Sequence, residues 1–476
     1  MGSTGVGRRW ALPVGLVGAE VACLVSLREA MRSGLSNDTY WHWAAGRWML
    51  AHHRILTTDV FSYTVAGHPW HTPEWGYDVV LAWSVRTFGS GMFWVLSAGL
   101  AALAVALTAY RARRLGAGWT WTGLLAVEAG VAIGLLLADR PQMVSYVLFA
   151  GLLLLLSAAR RRPALLWGVP PLVALWANLH GSFLLADLVL ALAVGRAVVA
   201  HRRKAGSTLP LRPACATLGG ALLAAFVNPF GPGVYARAVD IGTDPAVRRL
   251  ISEWHTPDFH DTTVLGVVLV PVVITVLALA KRSRPVPPWD ELLLCGLLLV
   301  ASLEAGRFLP YFAMAWCGMA APLVPSGPDE LRASLLTWPA AAAVAAAFLV
   351  GPVVSPGTPA AGEPVAAATW LTARSGRVFS SYTWNDYLIW RRIPVYVDGR
   401  TELYTSNGVL DRYLAIVDLR TDPDVALAAA DVRYVLWSPG QALSTFLAHD
   451  DRWQRVWRGS GSVIYERRPP LPAPAP

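Results

Sequence analysis

Positions 36–75 read SNDTYWHWAAGRWMLAHHRILTTDVFSYTVAGHPWHTPEW, and hold Asp38, Asp59, Glu74, five of the chain's ten histidines and five tryptophans. Carboxylates can take a proton from an attacking hydroxyl or hold a divalent cation. Aromatic rings can stack on sugar faces or anchor a segment at lipid headgroups. A loop that merely joined two apolar runs would have no packing reason for this mixture. Asp38, flanked by Trp41 and His42, is the first candidate for catalysis. Asp59 is the second, as a partner base or a second metal ligand, and His71 and Glu74 are candidates for substrate contact. Each has a plainer alternative. Asn37-Asp38 is good N-cap chemistry for a helix that follows, Asp59 and Glu74 suit loop turns, and the aromatics suit an interfacial belt. The histidines follow no metal-ligand spacing.

Further polar groups recur in short turns between apolar runs. Arg140 and Arg307 each occupy such a turn, where a guanidinium can bind a phosphate or pyrophosphate bidentately. Each can instead reach lipid headgroups or pair with the adjacent Asp139 or Glu304. Asn178, His180 and Asn228 fall at helix ends, and Glu253-Trp254-His255 places an acid beside two rings in the loop 228–262. Near the C-terminus, Trp384-Asn385-Asp386-Tyr387 and the run 397–402 are densely polar; Asp398 and Arg400 are expected to form an internal ion pair.

The elements that must position these groups are long and apolar. Of 476 residues 55% are hydrophobic and 15% charged, against about 25% charged in soluble domains. Apolar runs of 17–20 residues fit a bilayer core. Candidate spans are 11–27, 92–110, 119–138, 141–158, 164–179 and 183–200, then 213–227, 263–280, 289–303, 308–324 and 335–354. The net charge of +9 is nearly all arginine, Lys204 and Lys281 being the only lysines, which suits cytoplasmic loops and headgroups rather than nucleic acid. Basic clusters at 111–114, 160–162, 202–204 and 281–284 are each two spans apart. The positive-inside rule places them all in the cytoplasm, giving eleven spans with the N-terminus inside and the C-terminus outside. Arg8 and Arg9 precede an uncleaved first helix. Residues 74–88, with Asp78 and Arg86, are expected to form an interfacial amphipathic helix. Every polar turn named above then faces outward. The four cysteines fall within apolar runs and carry no ligand or disulfide pattern.

The sequence therefore predicts a polytopic α-helical membrane protein with a small C-terminal α/β domain outside the membrane. A membrane region covers 1–354 with its first outer loop at 28–91, a linker covers 355–364, the α/β domain 365–468 and a disordered tail 469–476. Within the domain, strands are expected at 378–382, 395–397, 434–437 and 462–465, alternating with helices at 410–417 and 425–430.

The segments DTYWHWAAGRWML, DVFSYTVAGHPWHTPEW, DRPQMVSYVLF, WANLHGSFL, NPFG, EWHTPDF, EAGRFLPYFA and YTWNDYLIWRRIPVYVDGRTELY together resemble a group of bacterial membrane proteins within the GT-C glycosyltransferase superfamily. That resemblance implies transfer of a sugar from a polyprenyl- or dolichyl-phosphate carrier to a glycan, lipid or protein acceptor on the outer side of the membrane. It implies that Asp38 is a general base or metal ligand, with Mg or Mn as the cation if one is used. The superfamily's paired acids are not intact, because Asn37 and Thr39 flank Asp38, so Asp59 would have to supply the second carboxylate. A metal-independent inverting transfer fits this departure. Arg140 and Arg307 would hold the carrier phosphate, with Trp41, His42, His71, Glu74, His180 and Glu253 near the substrate. The rival readings are a lipid or glycan flippase, for which Glu20 and Glu128 are the intramembrane acids, and a non-catalytic cell-envelope assembly protein.

Overall fold

A computed structural model describes residues 34–72, 74–204, 209–281, 286–324 and 355–469. The expected spans 11–27 and 335–354, the residues Glu20 and Cys23, and all but the first residue of the expected tail lie outside them. The chain divides into two compact units. One, the helical unit, contains Gly91–Thr243 and Arg248–Pro356; the other, the α/β unit, contains Ser33–Ser90, Asp244–Val247 and Gly357–Pro476.

In the helical unit, Met92–Arg114, Gln142–Ala159, Gly181–Arg202 and Thr262–Ala280 are long and apolar enough to cross a bilayer. Such helices satisfy their backbone groups internally, which is what a hydrocarbon environment demands. The expected spans 119–138, 164–179, 213–227, 289–303 and 308–324 fall on the shorter helices Trp119–Gly134, Val169–Leu179, Leu211–Ala224, Trp289–Glu304 and Leu309–Ala320. Leu100–Arg114 packs against Trp119–Gly134 and Gln142–Ala159 through a face of Ala101, Ala104, Val105 and Ala112. Small residues let such backbones approach closely.

Charged groups gather at the two ends of this bundle. At one end Arg160 pairs with Glu291 at 2.6 Å, Arg196 with Asp290 at 3.2 Å, and buried Arg111 donates to Ser157 Oγ at 3.0 Å and reaches Glu291. Gly318 leaves the space that the Arg111 guanidinium fills; a Cβ there would lie 1.6 Å from Arg111 Nη1. Arg140, before the first turn of Gln142–Ala159, belongs to the other end, with His180, Glu253 and Arg307. Within this unit, the polar turns named from sequence thus share an end, and two of the basic clusters share the opposite one.

The α/β unit begins with α1 (Asn37–His52), which ends at His53 in the left-handed conformation, φ 54°. α2 (Trp75–Phe88) has 14 residues, roughly 21 Å at 1.5 Å per residue and short of a bilayer core. α1 and α2 touch where Gly46 meets the backbone carbonyl of Asp78; a Cβ there would lie 1.9 Å from that oxygen. α1 packs equally on α3 (Tyr382–Trp390): Tyr40 meets Tyr387 edge-on at 5.2 Å, and Arg47 Nη2 donates to the Trp390 carbonyl at 2.6 Å.

Behind these helices stands a four-stranded sheet of β1 (Arg377–Ser380), β2 (Val432–Trp437), β3 (Trp453–Arg458) and β4 (Val463–Arg467), in the order β1-β2-β4-β3. β1 runs parallel to β2, and the other neighbours are antiparallel. The expected helices 410–417 and 425–430 are Val409–Val417 and Pro423–Ala429. Two strand expectations differ from the structure. Val395 makes only an isolated bridge to Ser62 of the first loop, because its neighbours there are loop residues that supply one turn of backbone pairing. β3, WQRVWR, was not foreseen: an edge strand with two outward arginines lacks the apolar run that marks a buried strand.

The first loop, expected within the membrane region, is built into the α/β unit. Tyr63 N donates to Val395 O at 3.1 Å, Thr64 Oγ1 to Tyr396 O, and Tyr63 Oη to Val378 O at 2.9 Å. Residues 357–364 of the expected linker are also packed: Leu35 N donates to Thr358 O at 3.0 Å and Trp384 Nε1 to Gly362 O at 2.9 Å. Gly46→Ala should therefore force α1 and α2 apart and cost about 1–3 kcal/mol. Thermal unfolding of the detergent-solubilised variant, followed by circular dichroism, would show it as a lowered midpoint.

Candidate active site

The α/β unit gathers two of its acids around one cation. Arg400, 1% exposed, donates through Nε to Asp398 Oδ1 at 2.8 Å and through Nη2 to Asp398 Oδ2 at 2.6 Å. Nη2 also reaches Asp59 Oδ1 of the first loop at 2.5 Å. The guanidinium lies between the rings of Trp70 and Phe61, 4.5 and 5.1 Å from their centroids. Tyr404 Oη donates to Asp398 Oδ2 at 2.7 Å. Burial alone would pull Arg400 down, but Asp398, Tyr404 and Asp59 outweigh it and hold the guanidinium charged. The expected ion pair Asp398–Arg400 is present, and it extends to Asp59.

This network occupies Asp59. Its carboxylate, 2% exposed, accepts from Phe61 N, Ser62 N and Ser62 Oγ as well as from Arg400. The second carboxylate of the sequence reading is thereby a structural anchor for the loop that bears it.

Asp38, by contrast, is partly exposed in the first turn of α1. It lies within electrostatic reach of Asp386 and Tyr382 on α3. Asp386 is fully enclosed; its Oδ1 accepts from Gly399 N at 2.7 Å, and Gly399 has no room for a side chain because a Cβ would lie 2.4 Å from Asp386 Oδ2. Burial first, then Asp398 and Asp38, push the Asp386 carboxyl well above the usual range. Tyr382 Oη is hydrogen-bonded to Thr401 Oγ1 at 2.5 Å. Asp386 and Tyr382 were not among the sequence candidates for catalysis. The motif at 384–387 was visible, but only the packing of α1 on α3 shows that it faces Asp38.

The remaining first-loop candidates are mostly interior. His42 is buried, with Nδ1 2.6 Å from Asp78 Oδ1, and stacks on Trp41 at 3.5 Å. Trp41 meets Trp70 edge-on, so it offers no open ring face of the kind a sugar needs. Burial, then Glu74, push Asp78 well up. Glu74 Oε2 accepts from Thr72 Oγ1 at 3.4 Å, and His71 is exposed.

In the helical unit Arg140 is ion-paired with Glu253, which satisfies both. Arg307 stacks over the Trp254 ring at 4.2 Å and forms no ion pair among the described residues. His180 is buried, and its Nδ1 accepts from Ser182 N at 3.2 Å, which puts the proton of the neutral ring on Nε2. Burial and Arg307 lower His180 to about 3, so the ring is neutral. Ser182 Oγ also meets Tyr311 Oη at 3.2 Å. Of the two arginines expected to bind phosphate, Arg307 thus keeps its charge uncompensated among the described residues and Arg140 does not.

A divalent cation finds no ready cage: among the described residues no three His, Cys, Asp or Glu side chains are grouped as ligands.

The fold has known counterparts. The oligosaccharyltransferase AglB of Archaeoglobus fulgidus, solved with an inhibitory peptide and a dolichol-phosphate, superposes with a TM-score of 0.61 at 10% identity over 91% of this chain and 70% of that one. ArnT of Cupriavidus metallidurans, bound to undecaprenyl phosphate, gives 0.55 at 14% identity over 99% of this chain and 100% of that one. A third structure, the Archaeoglobus fulgidus oligosaccharyltransferase with Zn and sulfate, gives 0.50 at 11% identity, covering 88% and 68%. No family model and no curated protein sequence matches the chain. At these identities the likeness establishes a fold alone, the helical architecture of these neighbours. The chain is a helical membrane protein of that architecture with an α/β unit.

Two expectations follow from the buried charges. Arg400→Met leaves Asp59 and Asp398 enclosed without their cation and should destabilise the protein by about 3–5 kcal/mol; adding Asp59→Asn should recover part of it, both read from thermal unfolding. Asp386 holds its proton more tightly folded than unfolded. Stability should therefore fall as pH climbs above the ordinary carboxylate range and until the raised folded value is passed. Asp386→Asn should flatten that fall, as midpoints measured from the ordinary carboxylate range upward would reveal.

Proposed function

We propose that this protein is a membrane glycosyltransferase that moves a sugar from a polyprenyl-phosphate-linked donor to an acceptor hydroxyl on the outer face of the membrane. The observation that carries the reading is Asp38, a partly exposed carboxylate within electrostatic reach of the buried Asp386 and of Tyr382, on a fold shared with an oligosaccharyltransferase. Two carboxyl groups so near cannot both ionise cheaply, and the buried one takes the proton. With the proton on Asp386, Asp38 is the carboxylate that accepts the proton of the acceptor hydroxyl. The acceptor oxygen then attacks the anomeric carbon, the bond to the carrier phosphate breaks, and the phosphate leaves with the electron pair. That single displacement inverts the anomeric centre. Within the helical unit, Arg307 suits a phosphate, with the Trp254 ring against it and His180 carrying an Nε2–H. The donor's lipid tail accounts for so large an apolar body. No step is routed through a metal, because Asp59 is held by Arg400 and no ligand set is grouped among the described residues.

The test uses purified protein in nanodiscs with a panel of radiolabelled polyprenyl-phosphate sugars. Wild type should release or transfer a sugar, and Asp38→Asn, still folded, should lose about 10²–10⁴-fold. EDTA should leave the wild-type rate unchanged. Equal turnover by both proteins would reduce Asp38 to a helix cap, and loss of activity with EDTA would overturn the metal-free step.

A further inference from the structure

The α/β unit has a second concave site that the proposed chemistry leaves unused. A groove of about 440 Å³ opens between α1, the first loop and the end of α3, within the size range of small-molecule sites. Its floor is apolar and aromatic, including Trp48, Phe61 and Ile389, and two guanidiniums, Arg47 and Arg392, border it. Neither arginine is ion-paired among the described residues. Arg47 Nη2 donates to the Trp390 carbonyl, and its guanidinium lies near the rings of Trp43 and Trp390. Two like charges facing one cavity repel; burial and Arg392 lower Arg47 accordingly.

Arg392 has a further peculiarity. Its backbone is left-handed, with φ 63°, a conformation that favours glycine over any residue with a Cβ. A glycine there would ease the backbone, yet the position carries a long cation at the rim of the groove.

From this geometry we propose that the groove binds an anionic sugar: a phosphate or carboxylate bridged by Arg47 and Arg392, with the sugar ring laid along the apolar floor of Val60, Phe61 and Ile389. Paired guanidiniums fit such oxyanions through parallel N–H bonds, and an aromatic wall suits a pyranose face. An anionic lipid headgroup offers the same phosphate chemistry and is the alternative source.

Binding is measured directly, so the outcome does not depend on whether sugar transfer occurs. Full-length protein in phosphatidylcholine nanodiscs is titrated calorimetrically with glucose 1-phosphate, glucuronate and neutral glucose. At least one anionic sugar should bind at least about tenfold more tightly than glucose, and Arg392→Gln should remove most of that preference, a loss of about tenfold or more for a charged hydrogen bond. Arg392→Gly should lose binding equally while unfolding at the same or a higher temperature, separating the charge from the fold. In phosphatidylglycerol nanodiscs, weaker sugar binding by wild type alone would assign the site to a headgroup phosphate. If neither anionic sugar outbinds glucose in phosphatidylcholine, or if both Arg392 variants bind as wild type does, the proposal is wrong.

Discussion

One buried cation organises the α/β unit. Arg400 is enclosed with Asp398, its neighbour two positions before, and with Asp59, 341 positions away. A guanidinium taken out of water is tolerable only while its carboxylates are in place, and they only while it is. The pairing therefore makes the first loop and the last hundred or so residues conditional on one another. Around it, Trp70 and Phe61 cover the guanidinium faces, and Ser62 and two backbone amides complete the coordination of Asp59. α1 inherits its placement from this arrangement, since the loop carrying Asp59 follows it and α3 packs beside it. The position of Asp38 is thus secured by groups far from it in sequence.

The helical unit uses the same economy of charge at its ends. Its apolar length has few polar partners to offer, so most of its ionisable groups, Glu128 apart, collect where the helices stop. Arg111, Arg160 and Arg196 satisfy Asp290 and Glu291 at one end, and Arg140 satisfies Glu253 at the other. Arg307, like Arg113 over Trp119, is held by an aromatic ring in place of an acid. A cation kept charged without a carboxylate retains its affinity for an incoming anion.

Much of this was legible in the chain. Apolar runs marked the helices to within a few residues because a bilayer-length segment leaves an unmistakable compositional trace. Asp38 stood out as an acid beside aromatic residues just past such a run, a position where helix-cap chemistry competes with a catalytic role. The role of Asp59 was hidden: its local context looks like a second catalytic acid, and nothing nearby reveals a cation hundreds of positions later. The burial of His42 and Trp41 against Asp78 and Trp70 was hidden for the same reason, since it depends on how α2 folds back. Asp386 was visible as part of a polar motif, yet its burial and its nearness to Asp38 come only from the packing of α1 on α3. Local chemistry reads well from sequence; which residues neutralise one another does not.

The shared ownership of the α/β unit has a consequence for biogenesis. The first loop is synthesised long before the strands and the arginine that complete it, so its aromatic face and Asp59 must wait, partly uncovered, while the intervening helices are made. Contacts of such sequence separation form late and slowly, and exposed apolar surface during the delay invites misassociation. A chain truncated ahead of Arg400 would leave the Asp38 segment without the scaffold that gives it shape, however intact its helices.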